Sequence, residues 1–173
     1  YRLFERPAYT LALRMLGNAD TVQAVVKAFD QHDPHHIVVD PVMVATSGAQ
    51  LLANSAIEVL RERLLPMASV ITPNLHEAEL LLGRTIPDLD AMRSACDDLL
   101  DLGAGAVLLK GGHLDHGDTV TDLFAQRRDS GGRLHREIAH PRLSLNAHGT
   151  GCTLAAAIAA RLALGDDLET AGS

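Results

Sequence analysis

Four short stretches carry residue types that can do chemistry together. Asp40 closes an apolar run and stands before Pro41. Asn74 is followed three places later by Glu77, and Lys110 is followed by Gly111 and Gly112. The fourth stretch reads His148-Gly149-Thr150-Gly151-Cys152 and runs into the alanine-rich segment Leu154 to Ala160. Two glycines around a threonine permit a tight turn, and the alanines that follow favour helix. A Gly-rich turn opening a helix aims backbone N–H groups and the positive end of the helix dipole at one concavity, which suits a phosphate or a developing negative charge. Cys152 falls in the first turn of that helix, where the same field favours thiolate over thiol. Carboxylates and an amide hold Mg²⁺ directly or through water. A lysine neutralises a phosphate as a point charge. The set as a whole is that of a phosphoryl-transfer site.

Each residue also has a purely structural alternative. Asp40 before a proline can cap a turn. Asn74 can cap a helix and leave Glu77 exposed, and Lys110 can extend from a strand end to solvent. Gly149 and Gly151 can simply allow close packing. His148 reads as a hydrogen bonder within the turn, Cys96 as core, and His32, His35 and His36 as surface residues of a polar linker. Two familiar phosphate motifs are excluded: Leu154 stands where a dinucleotide fingerprint needs its third glycine, and no G-x-x-x-x-G-K-[ST] occurs. A thiol hydrolase with Cys152 as nucleophile and His148 as base is a competing class, but it leaves Asp40, Asn74, Glu77 and Lys110 without a task.

These residues need a scaffold that gathers them. Ile37 to Asp40, Val70 to Thr72 and Ala106 to Lys110 are short β-branched or aliphatic runs without alternation, as in strands covered on both faces of a parallel sheet. Tyr9 to Leu16 reads as a further strand ending at Gly17. Helices alternate with these strands. The first is capped by Asn18. A second starts at Asn54–Ser55, with Glu58 completing a capping box, and is stopped by Pro66. A third ends at Gly83, and a fourth follows Asp88 with Leu89, Met92, Cys96, Leu99 and Leu100 on one face. Ser130-Gly131-Gly132 lies between two mixed runs and predicts an antiparallel hairpin at a sheet edge. Asp166 begins another helix. The expected fold is a right-handed α/β arrangement with helices on both faces, and ligands in such sheets bind beyond the carboxyl ends of the strands. Asp40, Asn74, Glu77 and Lys110 all fall there.

The chain has 173 residues, 47% hydrophobic and 3% aromatic, enough for one domain spanning 1–173 with an aliphatic core. A formal net charge of −7 argues against a nucleic-acid surface, so an anionic ligand needs a local device. Two cysteines make no disulfide framework and fit a reducing compartment. No apolar run reaches membrane-spanning length and the start lacks a signal pattern, so a cytoplasmic protein is the expectation.

Taken in order, Val39-Asp40-Pro41-Val42-Met43-Val44 with Ser47-Gly48, Thr72-Pro73-Asn74 with Glu77-Ala78, Leu109-Lys110-Gly111-Gly112-His113, and His148 to Thr153 closely resemble the hydroxymethylpyrimidine/phosphomethylpyrimidine kinases of thiamin biosynthesis, within the ribokinase-like superfamily. The cysteine of the last motif points to the pyrimidine branch. The resemblance implies a three-layer α/β/α sandwich with a mostly parallel sheet and an antiparallel edge hairpin. It implies an ATP- and Mg²⁺-dependent phosphotransferase that acts on a small aminopyrimidine, with pyridoxal kinase as a sibling alternative, and a homodimer for the full-length protein. It further implies Cys152 as the base, Gly149, Thr150 and Gly151 as the anion hole, Asn74, Lys110 and Gly112 at the nucleotide, Glu77 and Asp40 at the metal, and Met15 and Val42 in the pyrimidine pocket. Family members have an N-terminal strand with a Gly-rich substrate loop and final helices beyond this stretch, so the 173 residues alone are expected to be inactive, a non-catalytic nucleotide binder at most.

Overall fold

The structure is a computed structural model. It describes residues 8–12, 18–44, 50–112, 117–128, 130–142 and 150–172, with the side chains of 8–12 and 150 set aside. Six strands form one sheet in simple sequential order: β1 Ala8–Ala12, β2 His36–Asp40, β3 Val70–Ile71, β4 Ala106–Leu109, β5 Thr119–Arg127 and β6 Arg133–Pro141. β1 to β4 are parallel, and β5 and β6 are antiparallel to their neighbours. The expected mostly parallel sheet with an edge hairpin is therefore present, and the hairpin turn falls at Ser130 to Gly132.

The buried strands alternate between two cores. Val39, Ile71, Val107, Leu109, Leu123 and Ala125 face helices α1 Ala19–His32, α2 Asn54–Val59, α3 Leu75–Leu82 and α4 Leu89–Asp101. Val38, Val70, Ala106, Leu108 and Phe124 face α5 Thr150–Ala163 and α6 Leu168–Ala171. Right-handed crossovers between parallel strands laid down in sequential order put all their helices on one face. The other face is left for the chain that returns after the hairpin, and α5 returns to pack on β1 and β2. Strands apolar on both faces are the reason the sequence shows uninterrupted runs there.

Local signals mostly act as expected. Asn18 caps α1, its Oδ1 accepting from Thr21 N at 3.0 Å, and Asp88 caps α4, accepting from Ala91 N at 2.8 Å. Met92, Cys96, Leu99 and Leu100 are buried on one face of α4.

The second helix differs from expectation. Its N-cap is Ala53 with no side-chain cap, so the Ser55–Glu58 capping box does not form. The Asn54 side chain instead accepts from Gln50 Nε2 at 2.9 Å. Nor does Pro66 simply stop it: the helix widens to a π turn over Leu60–Leu64 and tightens to a 3-10 turn over Leu65–Met67 that includes Pro66. Leu60, Leu64 and Leu65 are all fully buried. A regular α-turn would point consecutive leucines 100° apart, and the irregular turns let both Leu64 and Leu65 face the core. His36 also departs from the linker reading, because it opens β2 opposite Ala8.

Candidate active site

The parallel strands bring their carboxyl ends to one edge of the sheet, and the sequence-predicted polar residues meet there. Asp40 is the last residue of β2 and is 1% exposed. Its Oδ1 accepts from Thr72 Oγ1 at 3.0 Å and from Lys110 Nζ at 3.2 Å. Its Oδ2 is buried and has no hydrogen-bond partner among the described residues. A buried charged acceptor left unsatisfied costs about 1–3 kcal/mol or more. Thr72 and Lys110, both acting on Oδ1, orient the carboxylate so that this second oxygen stays open.

Lys110 follows β4 directly. Its N–H donates to Pro73 O at 2.9 Å, and it forms a parallel bridge with Asn74. The lysine is thereby held beside the start of α3 rather than extended into solvent, its side chain 19% exposed. Asn74 caps α3. Its Oδ1 accepts from Glu77 N at 3.0 Å, while Glu77 Oε2 accepts from Asn74 N at 2.7 Å. This reciprocal capping box supports the structural role of both residues, but it does not leave Glu77 exposed. Glu77 is 3% exposed. Burial pushes its carboxyl up to about 7, against the hydrogen bond from Asn74, the Lys110 charge and the Met43 backbone, and Asp40 adds to the rise. Glu77 is thus a buried carboxyl as well as a cap.

Helix α5 brings the fourth element to the same place. A Cβ built on Gly151 would stand 2.9 Å from Lys110 Nζ and 3.7 Å from Asp40 Oδ2. The first turn of α5 thus lies directly against the Asp40–Lys110 pair, and a side chain at Gly151 would have to push the Lys110 ammonium aside. Thr150 begins the helix, and Cys152 is its third residue, half-buried. Val42 is half-buried just past Asp40, its N–H donating to Asp40 O at 2.9 Å. Gly112 is exposed two residues beyond Lys110. Met15, His148 and Gly149 lie outside the described residues, as does the Thr150 side chain.

With this geometry in place, comparison with known proteins is informative. The phosphomethylpyrimidine kinase family matches residues 13–172. The chain belongs to that family. A thiamine biosynthesis bifunctional protein ThiED of Geobacter sulfurreducens is 47% identical over 165 residues, covering 95% of this chain and 33% of that protein. The crystal structure of phosphomethylpyrimidine kinase from Clostridium difficile superposes with a TM-score of 0.78 at 33% identity, covering 95% of this chain and 64% of that one. The pyridoxal kinase from Staphylococcus aureus, in complex with AMP-PCP and pyridoxal, gives 0.81 at 32% identity, covering 98% and 59%. The chain thus spans between a third and two thirds of these relatives. The α/β fold with its ribokinase-like neighbours is as expected from the motifs.

Within this family member, the donor set can be tested against a divalent cation. No group of three or more His, Cys, Asp or Glu side chains suited to a metal occurs among the described residues. Mg²⁺ does not need one, because it keeps several waters and takes one or two carboxylates plus phosphate oxygens. The unpartnered Asp40 Oδ2 and the buried Glu77 fit that requirement. Among the described residues, no helix is long and apolar enough to cross a membrane.

Some residues of the site escape a reading of the sequence. Thr72 fixes Asp40 but looks like an ordinary strand-end threonine. Gly111 reads in the sequence only as a breaker of the strand before it, yet a Cβ there would fall 1.9 Å from Thr121 O, so the chain can leave β4 along this path only as glycine. In the strand run Thr119 to Ala125, Asp122 is the one charged residue, the signal that could have pointed to it.

Proposed function

We propose that this chain carries the phosphoryl-transfer site of a kinase that uses ATP and Mg²⁺. Its acceptor is the hydroxymethyl group, or the phosphate ester, of 4-amino-5-hydroxymethyl-2-methylpyrimidine. The observation that carries the reading is the meeting of Asp40, Glu77, Lys110 and the first turn of α5 at one sheet edge, with one buried carboxylate oxygen left open. Asn74, Lys110 and Gly112 face the nucleotide, and Lys110 offsets phosphate charge. Asp40 and Glu77 hold the cation, which when bound neutralises charge on the phosphate oxygens. Gly149, Thr150 and Gly151 present backbone N–H groups to the transferring phosphoryl. Cys152 Sγ accepts the proton of the substrate hydroxyl as its oxygen bonds to the γ-phosphorus. The bond from that phosphorus to the bridging oxygen breaks, and ADP leaves with the electron pair. Met15 and Val42 line the pyrimidine pocket. A homodimer in the cytoplasm belongs to the same reading, supported by the family resemblance and by two cysteines that form no disulfide.

The likeness to pyridoxal kinase supports a second acceptor, pyridoxal. The decisive experiment measures ATP consumption by the full-length protein with the free pyrimidine, its phosphate and pyridoxal in parallel. Turnover dependent on the pyrimidines supports the proposal. Turnover with pyridoxal alone transfers the site to the sibling activity, and nucleotide binding without turnover on any of the three refutes the catalytic reading.

A further inference from the structure

The loop that leaves β4 after Lys110 is pinned by polar groups that take no part in the site described above. At Gly111 the backbone lies directly on β5, against Thr121 O. The Gly111 N–H, which has left the ladder, donates to Asp122 Oδ1 at 2.8 Å. The other Asp122 oxygen, Oδ2, lies 3.2 Å from His140 Nε2 on β6, so the carboxylate is held from both sides. The next residue, Gly112, has its carbonyl bound by Arg142 Nη1 at 2.9 Å. Arg142 Nε also donates to Gly117 O at 3.0 Å, and its own N–H donates to Asp118 O at 2.7 Å. One guanidinium thus spans two carbonyls from the two sides of the loop, a task that suits the rigid fork of arginine and not the single point of a lysine. Arg142 also stands just past β6.

We propose that Asp122 and Arg142 are positioning residues for the nucleotide site, acting through the backbone of Lys110 to Gly112. Neither touches the Asp40–Lys110 pair. They fix where Lys110 emerges from the sheet, and hence the ammonium that sits on Asp40 Oδ1 and against Gly151. Arg142 ties the same loop to the end of β6. This inference rests on the proposed function in assigning the loop to the nucleotide.

The test combines MgADP titration by calorimetry with thermal melting and steady-state kinetics. Asp122→Ala is expected to weaken MgADP binding about tenfold and to raise KM for ATP by a similar factor, because a charge-assisted hydrogen bond to the loop is lost. KM for the pyrimidine and kcat at saturating ATP should stay within about twofold. Asp122→Asn should restore most of the affinity, since its amide oxygen can still accept from Gly111 N–H. Arg142→Ala should behave like Asp122→Ala, and Arg142→Lys should not restore it. Unchanged MgADP affinity in both alanine variants overturns the inference. So does a loss that asparagine fails to rescue, or one that strikes both substrates in step with a lowered Tm. A parent protein that binds MgADP but phosphorylates no pyrimidine refutes the proposed function alone, and the positioning role is then judged on binding. A parent that binds no MgADP overturns both.

Discussion

Replacing Glu77 by glutamine should change how stability depends on pH, in a direction and size set by the site. Glu77 has its carboxyl raised from 4.5 to about 7, chiefly by burial. The folded state therefore holds a proton that the unfolded state has released between those two values. Linkage then requires that the stabilisation from the protonated carboxyl is complete below about pH 4.5 and is lost as pH rises through about 7. At 1.36 kcal/mol per pH unit the loss is about 3 kcal/mol, an order-of-magnitude figure. Glutamine does not titrate, and its side-chain oxygen can still accept from Asn74 N–H, so the capping box survives. Glu77→Gln should thus gain on the parent across pH 4.5 to 7 by about 3 kcal/mol and hold the gain at higher pH. In a chain of this length that corresponds to roughly 10 °C in Tm.

The assay is thermal or urea unfolding of both proteins from pH 4.5 to 8.5, with and without Mg²⁺. The second arm separates structure from function. If Glu77 belongs to the cation site, Mg²⁺ stabilises the ionised carboxylate and should flatten the parent's decline while leaving the variant's curve unmoved. A constant difference between the two proteins over the whole range would refute the burial argument. A difference that changes with pH but ignores Mg²⁺ would keep the burial argument and remove Glu77 from the metal.

Other expected outcomes follow from the same geometry. In the full-length protein, Cys152→Ala should lower kcat by about 10²–10⁴-fold with MgATP affinity nearly unchanged, as for loss of a general base, and steady-state kinetics with unchanged turnover would remove the thiol from the mechanism. Gly151→Ala puts a methyl 2.9 Å from Lys110 Nζ. Because a flexible side-chain end can move, the fold should lose less than about 1 kcal/mol while nucleotide affinity falls; unfolding and MgADP titration together check this. Asp40→Asn should raise the Mg²⁺ concentration needed for half-maximal rate, and a rate curve matching the parent's would make Asp40 a structural partner of Thr72 and Lys110.

The fold was largely legible because its central strands are covered on both faces. Val38 and Val39, or Leu108 and Leu109, are apolar in succession since each neighbour serves a different core. The caps at Asn18, Asn74 and Asp88 were legible for a local reason, as each acts on a backbone N–H three residues away. The π turn at Leu60–Leu64 was not, because it answers to packing of leucines against distant elements. The candidate site divides in the same way. Asp40, Asn74, Glu77 and Lys110 stand out by type and by position at strand ends. That Glu77 is buried, that Asp40 leaves one oxygen open, and that Gly151 reaches Lys110 depend on contacts between residues far apart in the chain. Arg142 reaches back 30 residues to Gly112. No spacing rule announces such a contact.

Under the proposed function, these contacts also account for how an acidic chain is fitted to a polyanion. A net charge of −7 repels triphosphate at long range, and the two buried carboxylates of the site add to that repulsion nearby. The local arrangement works against both effects. Lys110 sits on one oxygen of Asp40, so the pair has little net charge while the other oxygen stays available for a cation. Burial raises the Glu77 carboxyl to about 7, which favours its uncharged form while no cation is near. The helix α5 then turns its positive end toward the same corner, with a glycine at the point of contact. Charge at this site is supplied by partners at short range, where burial makes it strong, and the acidic surface beyond has little say.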